Sequence, residues 1–465
     1  MTESSHDERI ELLTYAEVVE VKGFVGNFDV IIRKKPRYVD PLKCTGCGLC
    51  SEKCPTKTPN EWDLEMGMRK AIYKPFAQAV PNVPVIDPEH CRFFTSGKCK
   101  VCQKLCPAGA IDYEQKEERV QKKFGAIIVA TGFAQFDPKV YGEYGGGRFK
   151  NVITGLHLER MLDPSGPTGG HVIRPSDQKE PKDVVFIQCV GSRDESKGVP
   201  YCSRICCMYT AKQAILLKDH YPNSQSYIFY IDIRAGGKNY EEFVRKAQRE
   251  YGAIYIRGRV SRIFEKGEKL IVRGADTLIG KQVEVEADLV VLATAAVPQP
   301  DAIGLAKLLN IAHDSYGFYS EAHPKLQPVE SLTKGIFLAG SCQFPKDIPD
   351  AVATSGTAAI RACGILSLDE LILDPRIAAV NPDLCSGCLN CLEVCPFEAI
   401  EKTEVNGRVV ARVIPTLCQG CGNCAATCRT QAASVQGFSE KQICSQIASI
   451  FQEMKKEKLF ELSEQ

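Results

Sequence analysis

The sequence predicts an α/β protein whose parallel-sheet core carries two small cysteine-rich α+β modules, one inserted early and one near the C-terminus. Three observations predict it. Apolar runs at 124–133, 287–294 and 335–341 close on Ala-Thr-Gly, Ala-Thr and Ala-Gly-Ser, as buried strands running into tight turns do. Strand-like runs at 184–187, 226–231 and 253–256 alternate with helical stretches at 208–220 and 239–251, a βαβ pattern that implies parallel strands. Cysteine is heavily over-represented, with 23 residues in 465.

The elements follow in order. Residues 1–35 hold a short β-meander over 8–35, where apolar and polar residues alternate around Gly-Asn turns. Residues 36–115 are the first cysteine module. Residues 116–150 return to the core with the 124–133 strand. Residues 134–182 are rich in Gly and Pro, with one helix near 155–162. Residues 151–296 form a second α/β domain containing the βαβ unit, a meander at 261–285 and the 287–294 strand. Residues 297–375 rejoin the first domain with the 335–341 strand and a helix at 349–367. Residues 376–438 are the second cysteine module. Residues 439–465 read as a charged amphipathic helix, packed on its own domain or docked on a partner.

Composition narrows the function. The chain is 44% hydrophobic and 25% charged with a net charge of +1, so no global field favours nucleic acid or an anionic membrane. No apolar run approaches the ~20 residues that span a bilayer. The opening MTESSHDERIELL has neither a positive n-region nor an apolar h-region, so no signal peptide is expected and cytoplasmic residence is. In a reducing compartment, abundant cysteine points to metal ligation rather than disulfides.

The spacing names the metal. Cys44-x2-Cys47-x2-Cys50-x3-Cys54-Pro55 is the ligand run of bacterial ferredoxins. Cys385, Cys388, Cys391 and Cys395 repeat it, followed by Pro396. Cys418, Cys421, Cys424 and Cys428 repeat it without the proline, and Cys91, Cys99, Cys102 and Cys106 form a stretched version. Three thiolates of such a run wrap one [4Fe–4S] cube, and the fourth ligates the neighbouring cube. The expected quartets are therefore Cys44, Cys47, Cys50, Cys106; Cys54, Cys91, Cys99, Cys102; Cys385, Cys388, Cys391, Cys428; and Cys395, Cys418, Cys421, Cys424. Zinc is the competing metal for CxxC pairs. The x7 gap after Cys91 leaves open which thiol completes the second quartet.

One further group stands apart. Gln188-Cys-Val-Gly-Ser-Arg runs to Tyr201-Cys-Ser-Arg-Ile-Cys-Cys207 and places Cys189, Cys202, Cys206 and Cys207 after a strand, where a dinucleotide-binding unit would carry a glycine-rich phosphate loop. From the residues alone, a zinc knot or structural thiols compete with a cluster here. Cys342, Cys363 and Cys444 remain and read as small buried apolar residues.

The strand endings and the βαβ unit resemble the two-domain flavoprotein plan of thioredoxin reductases, without its strand–GxGxxG–helix opening. PRYVDPLKCTGCGLCSEKCP, CVGSR…YCSRICCMYTAKQA and GSCQFPKDIPDAVATSG narrow this further. The sequence resembles the A-type subunits of the heterodisulfide reductases of methanogens and their bacterial relatives, over nearly its whole length. The resemblance implies a thioredoxin-reductase-like FAD/NAD(P)-type core with ferredoxin-like domains, FAD, and a fifth [4Fe–4S] cluster on Cys189, Cys202, Cys206 and Cys207. It implies flavin-based electron bifurcation. Electrons would arrive from a hydrogenase or formate dehydrogenase module. They would leave to ferredoxin and, through B- and C-type subunits, to the CoM–CoB heterodisulfide. Lys212 and Glu159 match residues beside the flavin ring, and Thr131, Gly132, Gly340, Ser341, Cys342, Lys346, Asp347, Ile348 and Ala351 match its binding segments. With no GxGxxG in the sequence, the adenosine half of the FAD site is expected from a separate chain. Two alternatives stand: a flavin-free multi-cluster relay, and a relative serving another low-potential reductase of the benzoyl-CoA type.

Overall fold

The computed structural model describes residue 5 and residues 7–372 and 375–461; the first four positions and the last four of the tail stretch lie outside the described residues. The chain opens with a hairpin, β1 (Ala16–Phe24) and β2 (Asn27–Lys34). Its third strand, β3 (Glu118–Phe124), arrives only after the first cysteine module. Lys34 lies opposite Glu118 and pairs with it at 3.0 Å, so the module is inserted at the end of a paired ladder. The meander expected at 8–35 is thus a hairpin completed from beyond the insertion.

The strand expected at 124–133 is split between β3 and β4 (Ile127–Val129). Gly125 separates them, and a Cβ there would stand 2.3 Å from the Leu366 side chain. β5 (Val152–Thr154), a strand not foreseen, leads through a Thr154 cap into α1 (Gly155–Leu162). The βαβ run follows as β6 (Asp183–Val190), α2 (Cys206–His220), β7 (Gln225–Tyr230), α3 (Tyr240–Arg249) and β8 (Ile254–Arg257). The meander is β9 (Val260–Lys266), β10 (Lys269–Asp276) and β11 (Lys281–Ala287), and β12 (Leu289–Thr294) returns to the parallel sheet. α4 (Ala302–Leu309), β13 (Ile336–Leu338) and α5 (Ile348–Leu366) rejoin β4, and α6 (Glu440–Glu461) follows the second module.

The parallel sheet has the order β5-β12-β6-β7-β8. Val184, Phe186, Leu289 and Val291 face α1 and α2, while Val185, Ile187, Val290 and Leu292 face the β9–β11 sheet. Burial on both faces explains why these strands read as unbroken apolar runs. Phe136, Tyr141, Tyr144 and Phe149 also pack on this sheet, so part of the 116–150 stretch belongs structurally with the second α/β domain. At the opposite end of the sheet, Asp288 accepts from Arg174 at 3.0 Å and from the Lys182 and Asp183 N–H groups, with Lys269 at 3.0 Å.

The β4–β13 pair is parallel but has only two strands. α5 packs over it and buries just Ala358 and Ala362. Cys363 and Cys444, expected to be buried, are exposed on α5 and α6; both helices leave those faces uncovered, so burial of a small thiol has no wall to use. The side chains of Ile443, Ile447, Ile450 and Phe451 are exposed as well; this stretch of α6 does not pack on its own domain. No helix of the described residues is long and apolar enough to cross a membrane.

Candidate metal centres and redox site

Short loops gather the module cysteines. Cys44, Cys47, Cys50 and Cys106 line one cavity, and Cys385, Cys388, Cys391 and Cys428 line another. Cys54, Cys91, Cys99 and Cys102 lie within electrostatic reach of one another, as do Cys395, Cys418, Cys421 and Cys424. Gly46 turns the first run at φ 70, where a Cβ would strike Asn82. Backbone N–H groups already aim at sulfur: Gly46 to Cys44 at 3.4 Å, Ala110 to Cys106 at 3.3 Å, Ala399 to Cys395 at 3.4 Å and Ala433 to Cys428 at 3.4 Å. Such donors suit thiolates that carry a cluster's negative charge. Burial pushes the Cys50 thiol up to about 11, so loading metal there expels a proton. Four-thiol cavities with N–H donors fit [4Fe–4S] clusters. Tyr113, which the spacing did not point to, meets Cys102 through its hydroxyl at 2.9 Å.

The fifth group forms where β6 ends. Cys189 (φ 60), Gly191 (φ 82), Arg193 (φ 58) and Arg204 (φ 62) all take left-handed backbone, which folds the loop back over the strand. Cys206 and Cys207 open α2, where unsatisfied N–H groups favour anionic sulfur. A hydrogen bond from the Cys206 thiol, helped by the Arg193 guanidinium, holds Cys189 down to about 7. Cys206, hydrogen-bonded to Cys189 and Cys207 and fully buried, is raised. Cys207 is lowered by Cys206 and by the Arg234 N–H, 3.4 Å from its sulfur. Cys202 accepts from the Arg204 N–H at 3.3 Å. Three thiols in mutual contact, a fourth on the same loop, and directed donors fit a four-iron cluster. A phosphate does not fit: thiolates occupy the cradle that a phosphate loop would leave open.

α1 and α2 bring Lys212 and Glu159 together at 2.8 Å, with Gln213 donating to the other Glu159 oxygen at 3.0 Å. The inserted module is tied to the same helix, because Arg160 donates to Asp63 at 2.8 and 3.0 Å. On the other side, Arg204 in the cysteine loop pairs with Asp350 of α5 at 2.8 Å. The cysteine loop thus touches the segment expected to hold flavin.

That segment is partly suited to the task. Gly132 (φ 70) follows Thr131 at the end of β4, and Gly340 (φ 70) ends β13 with only the Ala351 Cβ near it, at 4.0 Å. Small residues with positive φ let a flat ligand approach the backbone closely. The Tyr319 hydroxyl beside Thr131 is buried without a hydrogen-bond partner. Cys342 is buried, its sulfur 3.2 Å from the Val129 and Ala339 carbonyls. Ser341 and Lys346 are buried too, and Lys346 donates to Gln343 at 2.6 Å. Burial lowers the Lys346 ammonium.

The N-terminus of α5 does not meet its expected role as a pyrophosphate cradle. Asp347 caps it by accepting from the Asp350 N–H at 2.9 Å, Pro349 has no N–H, and Asp350 adds a second carboxylate. Within the first turn, Ile348 alone offers an uncommitted N–H. Arg193, Arg204 and Gln188 were not singled out from the sequence, although each lies within or beside the cysteine spacing, where charge and amide groups tune sulfur.

Comparisons with known proteins agree with this chemistry. A 4Fe-4S binding domain family matches residues 37–59, and a 4Fe-4S dicluster domain family matches residues 378–442. The iron-sulfur A subunit of the CoB–CoM heterodisulfide reductase of Methanocaldococcus jannaschii is 50% identical over 97% of this chain and 68% of its own length. The A subunit of the H(2):CoB-CoM heterodisulfide,ferredoxin reductase of Methanothermobacter marburgensis is 48% identical over 88% of this chain and 62% of its own. The chain therefore spans about two thirds of the length of such relatives. A thioredoxin reductase from T. acidophilum aligns structurally at 17% identity and a TM-score of 0.36, over 54% of this chain and 70% of that one; the fold described above rests on the sheets themselves. Ferredoxin-type cysteine runs and near-complete alignment at half identity lead to one conclusion: the chain belongs to the family of iron-sulfur A-type subunits of heterodisulfide reductases.

Proposed function

We propose that this chain is the iron–sulfur flavoprotein electron-transfer subunit of a heterodisulfide-reductase-type complex. It takes electrons from a hydrogenase or formate dehydrogenase module. It divides them between ferredoxin and, through B- and C-type subunits, the CoM–CoB heterodisulfide. The observation that carries this reading is the cysteine group at the end of β6, joined through Arg204–Asp350 to the flavin-type segment and through α2 to Lys212–Glu159. A one-electron carrier beside a flavin serves electron splitting, whereas a hydride donor does not. The printed names of relatives, which include ferredoxin and H(2), support the same reading.

In this proposal the twenty module and loop cysteines hold five clusters that supply one-electron carriage. When bound, FAD supplies the exchange between electron pairs and single electrons. Thr131, Gly132, Gly340, Ser341 and Ala351 hold its ring end. Lys212 places a cation near it, and Glu159 holds that cation in position. Arg193 and the α2 N-terminus hold the negative charge of the fifth centre, and β6 and α2 keep water from it.

The adenosine end of FAD is assigned to a separate GxGxxG-bearing chain. The edge of β4 supports this. Ile127 N–H and Val129 C=O bond toward β13, so strand alternation turns the Ile128 N–H and C=O to the opposite edge. Exposed Ile128, with Ile348 and Val352 on α5, offers a strand edge and an apolar wall for a dinucleotide-binding unit. The capped α5 terminus favours the second reading, a flavin-free relay.

Iron and flavin counted per chain after anaerobic purification, with and without co-purified partners, separate the two. About twenty iron atoms follow from five four-iron clusters. Flavin that appears only with a partner supports the shared site; its absence in both preparations leaves the relay. Cys206→Ala should remove about four irons.

A further inference from the structure

Gln188 precedes the first cysteine of the fifth centre and is only 6% exposed. Its Oε1 lies 3.6 Å from the Cys207 sulfur, accepting from the thiol, and its Nε2 has no hydrogen-bond partner. This arrangement suits a protonated Cys207 alone. A cluster ligand is a thiolate and has no proton to give. The carbonyl oxygen would then face anionic sulfur while the two amide hydrogens stayed buried and unused, which costs ~1–3 kcal/mol for a buried unsatisfied polar group. A half-turn of the terminal amide exchanges the two atoms and removes both penalties. The Arg234 N–H already reaches the same sulfur at 3.4 Å, so Cys207 would accept from both a backbone and a side-chain donor.

We propose that in the iron-loaded centre Gln188 donates an N–H···S hydrogen bond from its side-chain amide to the Cys207 thiolate, and that this positioning residue raises the reduction potential of that one cluster. Reduction adds negative charge to the iron–thiolate unit, so a donor on sulfur stabilises the reduced form more than the oxidised one. The inference rests on the assignment of Cys189, Cys202, Cys206 and Cys207 as ligands.

The test uses the iron-loaded protein and the electron paramagnetic resonance signal that disappears in Cys206→Ala. In Gln188→Leu, of similar size but without a donor, iron content should be unchanged. At a fixed poise the reduced-to-oxidised ratio of that signal should fall about tenfold, equivalent to 59 mV for a one-electron couple. The other clusters should not move. An unchanged midpoint with full iron overturns the inference alone. Full iron in Cys206→Ala overturns the ligand assignment and the inference with it. If Gln188→Leu fails to load iron, wild-type protein carrying side-chain-15N glutamine decides the matter. Pulsed resonance on the same signal should show 15N coupling to the reduced cluster, and no coupling overturns the proposal.

Discussion

The two cysteine modules and the fifth centre hold the same kind of ligand by different physics. In the modules, spacing does the positioning. Tight turns at residues such as Gly46 place three sulfurs, and a small core of Val39, Ile72, Ile86 and Ile111 with the cysteines themselves backs them. The fifth centre has no such run. Its ligands come from the end of a fully buried strand, a looped-back segment and the start of a helix, and a large two-sided core holds those three apart and in register. A motif can therefore move between proteins as a cassette, whereas a centre on a sheet end depends on the whole domain beneath it.

That contrast can be broken by attacking the sheet. Phe186 is fully buried in β6, and Phe186→Ala should cost ~3–5 kcal/mol. Denaturant unfolding should show the loss in the sheet domain, and anaerobic iron counts should fall by the fifth centre while the module clusters remain. A smaller and more local lesion is Gly191→Ala. Its φ of 82 is unfavourable for alanine, and the new Cβ would stand 2.4 Å from the Phe136 ring. A penalty of ~1–3 kcal/mol should fall on the loop, read as selective loss of the fifth cluster's signal.

Acid sharpens the comparison. Burial alone would raise Asp288, but the Asp183 and Lys182 N–H groups and Lys269 outweigh it and hold the carboxyl below its ordinary value. Its folded pKa is therefore below the unfolded value of ~3.9. The stability it contributes is fully present above that value and is lost as pH falls through the folded pKa. Asp288→Asn should flatten the acid limb of the stability curve below about pH 4, with no change in its shape between pH 6 and 8. The smallest effect belongs to Lys212→Ala. The Lys212–Glu159 pair is partly exposed, so its removal should change stability by under ~1 kcal/mol. Its consequence should appear instead as a shifted flavin titration in the partner-bound complex, with iron unchanged.

Much of this was legible in the sequence because it is local. The four quartets of the modules follow from spacing, since a short loop leaves the backbone few ways to arrange closely spaced thiols. The βαβ run and the β9–β11 meander follow from periodicity, because two-sided and one-sided burial write different patterns. The places where the reading failed all need a neighbour far along the chain. The hairpin takes its third strand from beyond an 80-residue module, β5 depends on β12 for its only ladder, and the 124–133 strand breaks because Leu366 leaves no room for a Cβ at Gly125. Cys363 was read as buried, and the uncovered face of α5 decides otherwise.

The sequence by itself determined which residues can carry iron and which segments form strands, because ligand chemistry and burial periodicity are properties of neighbouring residues. Only the tertiary structure decided that Cys189 meets Cys206 and Cys207, that Lys212 meets Glu159, that Arg204 reaches Asp350, and that Asp347 caps α5. Those contacts join residues up to 146 positions apart, and the energy that selects them is the burial of a shared core, which no short stretch of sequence contains.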